Sequence, residues 1–259
     1  MEAGSFEHRF GGIERLYGVQ EAHRIQQASI CIVGIGGVGC WIAEAAARCG
    51  IGAITLIDWD DICLTNSNRQ IHAMNGTVGQ SKVDVMAERI RLINPECKLT
   101  PVRDFFNQDN YEQMLAPGFD YVFDAIDNVA AKCLLITECR KRKIPIIVSG
   151  GAGGRFDPMA IQTKDLSRSY NDPLLAKVRK KLRQEHRFPK NLKRKFHVPC
   201  VFSPELPKYP QGDGCVGTQK PQGKNMNLDC FSGFGTATFI TGVFGFAMTA
   251  YAIKKITEP

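Results

Sequence analysis

The chain has 259 residues, 44% hydrophobic and 23% charged, a composition that suits one large α/β domain or two small ones and argues against a disordered or fibrous chain. The first nine residues carry Glu2, Glu7, His8 and Arg9 with no apolar run behind them, so no secretory signal is expected; the ten cysteines form no CxxC pair, which argues against a paired-thiolate zinc site and for reduced thiols in the cytosol. The net charge of +7 is concentrated in residues 176–195, "AKVRKKLRQEHRFPKNLKRK", where ten Lys or Arg face one Glu; the remainder is near −2, and such a block suits a polyanionic partner as well as a solvated helix and loop.

In chain order, "SICIVGIGG" (29–37) reads as a buried strand entering a glycine turn, and "VGCWIAEAAARCG" (38–50) as a helix closed by Gly50. "AITLID" (53–58) is a second buried strand. "SKVDVMAERIRLINP" (81–95) is a helix that Ser81 can cap and Pro95 stops. "KLTPVRD" (98–104) is a third strand, "NYEQML" (110–115) a short helix and "DYVFDAID" (120–127) a fourth strand. "VAAKCLLITECRKRK" (129–143) is a helix and "IPIIVSGG" (144–151) a fifth strand. Strands alternating with helices imply an α/β fold with a parallel sheet covered on both faces. Beyond about Asp157 the alternation stops. "MAIQTKDLS" reads as a strand, the basic block follows, and Pro199 to Gly223 reads as a long, mobile loop rich in Pro and Gly. Residues 231–253 hold no charge over 23 positions, long enough to cross a bilayer, but nine are Ser, Thr or Gly. A buried helix on the sheet is the expected reading, with membrane contact as the alternative.

The turn "GIGGVG" (Gly34, Gly36, Gly37, Gly39) lies between a strand and a helix, where glycines let backbone approach a phosphate and the helix N-terminus supplies N–H donors. Asp58, at the end of the next strand, suits the ribose hydroxyls. These features fit NAD, FAD or ATP alike. "DWDDICLTNSNRQ" (58–70) separates them. A departing pyrophosphate needs cations and hydrogen-bond donors, and Asn66, Asn68, Arg69 and, further on, Lys82 supply them; hydride transfer has no such need. "DAIDN" puts Asp127, with Asn128 beside it, at the carboxyl end of the fourth strand, where open α/β sheets bind ligands, and Asp127 is a suitable magnesium ligand. Taken singly, Arg69 and Lys82 also read as surface charges and Asp127 as a helix cap.

"RFGGIERLYG", "VGIGGVG", "DWDDICLTNSNRQ", "GQSKVDVMAERI" and "FDAIDN" resemble, in order, the motifs of the ubiquitin-activating-enzyme-like adenylating family, across roughly residues 9–151. The resemblance implies a Rossmann-like doubly wound sheet, one domain over 1–259 with its nucleotide core at about 28–151, a crossover segment at about 165–230 and an apolar helix at 231–256. It implies ATP held by the turn glycines, Asp58, Asn66, Asn68, Arg69, Lys82, Asp127 and Asn128. Mg2+ would sit on Asp127, with Arg69, Lys82 and Asp127 catalytic. It also implies a homodimer in which an N-terminal arginine reaches the partner's site. Relatives that activate sulfur carriers have an arginine where Gly12 stands here, so Arg9, or less favourably Arg15, takes that role.

"RSYNDPLLAKVRKKLR", "VFSPELPKYPQGDG" and "DCFSGFGTATFITGVFGF" are similar to the tRNA threonylcarbamoyladenosine dehydratase branch of that family. That likeness implies tRNA as partner, adenylation of the threonyl carboxylate beside the anticodon, and closure of an oxazolone-type ring within the same side chain. Two other readings stay open: an adenylyltransferase acting on a small carrier protein, and an NAD-linked or nonenzymatic nucleotide-binding module. Also open are a thioester role for Cys200, Cys215 or Cys230, a monovalent cation held by backbone carbonyls, and a sulfur-relay protein partner.

Overall fold

The computed structural model describes residues 6–211, 214–219 and 234–258. Five parallel strands follow the sequence pattern closely: β1 (Ser29–Val33), β2 (Ala53–Ile57), β3 (Lys98–Val102), β4 (Tyr121–Asp124) and β5 (Ile146–Ser149). Two more extend the sheet beyond β5. They are β6 (Gln162–Asp165), the antiparallel edge, and β7 (Pro199–Phe202), which lies between β5 and β6 and runs parallel to β5. The order is β3-β2-β1-β4-β5-β7-β6. β7 corrects the expectation of a continuous loop from Pro199: Cys200, Val201 and Phe202 are wholly buried, and their neighbours in the sheet satisfy the backbone. A short ribbon, β8 (Tyr209–Pro210) with β9 (Val216–Gly217), follows.

Alternate strand residues feed two cores. Ile30, Ile32, Ile54 and Leu56 face α3 (Gly39–Arg48), α4 (Lys82–Ile93) and α8 (Thr238–Thr257). Cys31, Val33, Val122 and Val148 face α6 (Val129–Arg142) and α7 (Pro173–Glu185). Ser81 caps α4 by accepting the Asp84 amide, as its sequence position suggests. The apolar C-terminal segment forms α8, which packs Ile240, Phe244, Met248 and Ala252 into the first core. It is long and apolar enough to span a membrane, yet half of its most apolar window is buried inside the fold. Residues 231–233 of that segment lie outside the described residues. α5 (Tyr111–Leu115) is short, and two helices without a clear signal, α1 (Phe6–Tyr17) and α2 (Val19–Gln27), precede β1. Phe6 and Phe10 of α1 crowd Gly50, next to the start of β2 and away from the strands' carboxyl ends.

The strand order reverses direction between β1 and β4, which opens a crevice at their carboxyl ends. One buried ion pair underlies it. Lys132 of α6, fully buried, donates to Asp124 Oδ1 at 2.9 Å and to the Ser149 carbonyl at 3.0 Å, joining the ends of β4 and β5. Burial raises the Asp124 carboxyl and the Lys132 ammonium opposes that rise. Removing one partner strands the other charge in the core, so Lys132→Ala is expected to lose about 3–5 kcal/mol in urea unfolding. A loss under about 1 kcal/mol would contradict that role.

Candidate active site

A cavity of about 700 Å³ fills the crevice. Gly34, Gly36 and Gly37 line one side, between β1 and α3. Gly34 has φ +92, and a Cβ there would lie 2.8 Å from the Ala125 carbonyl, so the turn requires glycine. Gly39 serves packing: its Cβ would fall 1.7 Å from the Gly34 carbonyl oxygen, and it does not line the cavity. Asp58 also stands behind the wall. Its carboxylate accepts the Ile35 amide at 2.6 Å and the Asp60 amide at 2.9 Å, which ties the end of β2 to the glycine turn. Burial raises its carboxyl, with Lys82 at 4.0 Å pulling the other way.

The opposite side is the 63–70 segment. The Asn66 side-chain oxygen accepts the Cys63 amide at 3.0 Å and sets its single helical turn. Asn68 donates to the Thr236 carbonyl at 2.9 Å, just ahead of α8. Arg69 donates to the Thr65 carbonyl at 2.7 Å and to Asn68 Oδ1 at 2.9 Å, while its own carbonyl accepts Trp41 Nε1 at 3.0 Å. Lys82, at the first position of α4, pairs with Asp60 at 2.7 Å. Across the cavity Asp127 is exposed at its edge, on the turn after β4, where Asp124 Oδ1 also accepts the Ile126 amide at 3.1 Å.

Gly34, Gly36, Gly37, Asn66, Asn68, Arg69, Lys82 and Asp127 therefore meet around one space. Asn128 does not join them, because its side chain caps α6 by accepting the Ala130 and Ala131 amides at 2.9 and 3.0 Å. Arg9 and Arg15 lie on α1, outside the cavity wall of their own chain. Cys200 is removed from the nucleophile candidates: it is buried in β7, and burial pushes its thiol far up, so no thiolate is available there. Cys215 is exposed beside β9 and outside the cavity, and Cys230 lies outside the described residues.

Sequence reasoning missed Asp60, the glycine wall Gly150–Gly153 and Asp172. Asp172 Oδ2 accepts the Gly151 amide at 2.9 Å, and its Oδ1 caps α7 through the Leu175 amide at 2.9 Å. The "SGGAGG" run after β5 was the available signal, since glycine-rich turns at strand ends mark close backbone approaches.

The donor set suits a nucleoside triphosphate with a divalent cation. Arg69 and Lys82 supply positive charge, the turn supplies backbone amides, and Asp127 supplies one carboxylate; Mg2+ is characteristically held by one or two carboxylates plus phosphate oxygens. Among the described residues no group of three or more His, Cys, Asp or Glu comes together as a metal site.

A family model described as the ThiF family matches residues 12–259. The chain belongs to the ThiF family. Within it, the chain is 52% identical over 253 residues to the tRNA threonylcarbamoyladenosine dehydratase of Escherichia coli K12, covering 97% of this chain and 94% of that one. The structure of the E. coli enzyme TcdA in complex with ATP overlays with a TM-score of 0.87 at 48% identity, covering 99% of this chain and 96% of that one. The molybdopterin-synthase adenylyltransferase of E. coli K12 is 37% identical over 133 residues, 51% of this chain and 52% of that one.

His72, just past Arg69, is fully buried, and burial, reinforced by Lys82 and Arg89, lowers its imidazole to about 4. An unfolded chain takes up this proton below about 6.5, whereas the folded one resists until about 4. His72 therefore makes stability fall as pH drops through that window. Comparing urea unfolding at pH 7 and 4.5, the acid-induced loss should be smaller by roughly 2 kcal/mol in His72→Gln than in the parent. Equal losses would show that His72 titrates normally in the fold.

Proposed function

We propose that this protein is an ATP-dependent tRNA threonylcarbamoyladenosine dehydratase. The observation that carries the reading is likeness along the whole chain, 52% identity across 97% of it, to an enzyme of that name. The site supports it: one cavity holds the groups that splitting a triphosphate requires. The likeness to the molybdopterin-synthase enzyme extends over only about half of each chain, so it favours carrier-protein activation less than the whole-chain match favours dehydration.

In the proposed reaction a carboxylate oxygen of the threonyl group attacks the α-phosphorus of ATP. The bond between that phosphorus and its bridging oxygen breaks, and pyrophosphate leaves. The amides at the start of α3 and the Arg69 and Lys82 cations face the phosphates and stabilise the departing charge. Asp127 would hold Mg2+, which when bound neutralises phosphate oxygens as a Lewis acid. A heteroatom of the same side chain then attacks the activated carbonyl, and AMP departs as the five-membered ring closes. The nucleophile is already tethered, so proximity supplies much of the second step.

A homodimer is part of this reading. Arg9 is exposed on α1 and does not line its own cavity, so any role it has at a nucleotide site belongs to a neighbouring copy. The basic surface of α7 and the 187–195 segment, where Lys177, Lys180, Lys193 and Arg194 are exposed, suits the phosphates of an anticodon stem-loop.

The deciding experiment incubates the protein with Mg2+, ATP and tRNA bearing threonylcarbamoyladenosine, digests the RNA mildly and weighs the nucleosides. An ATP-dependent product lighter by one water is expected. No such product, with pyrophosphate exchange supported by a carrier-protein carboxylate instead, would replace the reading. Asp127→Ala should keep its melting temperature and lose activity, and Arg69→Ala or Lys82→Ala should lower turnover on the order of 100-fold. Full turnover in Asp127→Ala would remove the metal role.

A further inference from the structure

A second cavity, of about 420 Å³, lies on the other side of the first turn of α7. Its size falls in the range of small-molecule sites, about 300–1,000 Å³, and admits a nucleoside but no duplex. Tyr209 contributes an aromatic ring, Leu206 and Pro207 apolar walls, and Arg179 a guanidinium. Asn171 completes one side in a left-handed conformation, φ +54, held by its side-chain Nδ2 donating to the Pro204 carbonyl at 2.7 Å and by Arg155 donating to its backbone carbonyl at 2.9 Å. Ser169 takes one of the five guanidinium N–H donors of Arg179. Tyr209 is mostly buried against Phe234, so the plane offered for stacking is the Arg179 guanidinium, with the Asn171 carboxamide beside it for a base edge; unstacked bases are recognised by such guanidinium planes and polar groups.

The partition between the two cavities is thin. Leu174 lines the reaction cavity, while Pro173 and Ala176 of the same turn line the second one. Asp172 belongs to the second cavity and binds Gly151, which belongs to the first. The Tyr209 ring packs on Phe234 of the reaction cavity with centroids 4.9 Å apart. Past the turn that lines both cavities, α7 carries Lys177 and Lys180, both exposed to solvent.

We propose that this second cavity is a nucleobase subsite, which takes an unstacked base flanking the reacting nucleotide of an RNA loop. The proposal rests on the function argued above, because it needs an RNA substrate in the larger cavity. It gives the chain a way to recognise a loop rather than an isolated nucleoside, and it lets base stacking set the reach of the reacting side chain.

The test uses the full-length protein, an anticodon stem-loop carrying threonylcarbamoyladenosine, and the same stem-loop with an abasic residue on either side of it. Ala176→Trp fills the cavity and should raise KM for the intact stem-loop about tenfold with kcat little changed. Removing the flanking base should cost the parent protein a similar factor and cost Ala176→Trp almost nothing. Parallel ATP titration and melting report that the variant is folded; should it not be, Arg179→Gln enters the same comparison. An unchanged KM in a folded variant, or equal losses on base removal in parent and variant, would overturn the subsite while leaving the dehydratase reading intact. No dehydration of any stem-loop or tRNA by the parent would overturn the function first, and the subsite with it.

Discussion

The Lys132 ammonium is fully buried, and the crevice is arranged around it. Its partners are the Asp124 carboxylate and the Ser149 carbonyl, the last groups of β4 and β5. A buried charge pair is a poor source of stability compared with apolar packing, so its location matters more than its strength. Here it fixes two strand ends whose next residues are the Asp127 turn and the Gly150–Gly153 wall. Asp172 repeats the device one layer out, with one oxygen on the glycine wall and one on the N-terminus of α7. The polar groups that shape the cavity are thus held from behind by other polar groups, and side chains facing the cavity are left to meet a ligand.

The other half of the cavity is built differently. Arg69 and Asn68 are anchored through backbone carbonyls to Trp41 of α3 and to Thr236 before α8. α8 is held by apolar contacts in the first core. The most hydrophobic segment of the chain therefore acts as a rigid backing for the most cationic part of the site.

Residues 29–151 were largely legible because buried parallel strands and their helices leave strong, separate signals, and because the glycine turn, Lys82 and Asp127 lie at or just past strand and helix ends, with Asn68 and Arg69 in the segment that joins β2 to α4. Four things were hidden. α1 and α2 bury only Phe10 and Ile25 outright, too little apolar periodicity to mark a helix. β7 has four residues and begins at Pro199, so it resembles the Pro-rich stretch that follows it. Asn128 sits beside a plausible ligand-binding aspartate, but an asparagine before a helix serves equally as its cap, and only geometry separates the two. Asp172 and Gly151 are 21 residues apart, and a contact across that span has no local signature.

The sheet has two free margins, and both are poor templates. β3, at one margin, contains Pro101, which has no amide hydrogen to offer a neighbouring strand. β6, at the other, has only four residues and runs against its neighbour, with Lys164 exposed on it. A charged, short border and a proline-interrupted one both discourage another strand from adding on. Growth of the sheet from molecule to molecule is thereby disfavoured at each end, which leaves helices and loops as the better surfaces for copies of this chain to meet.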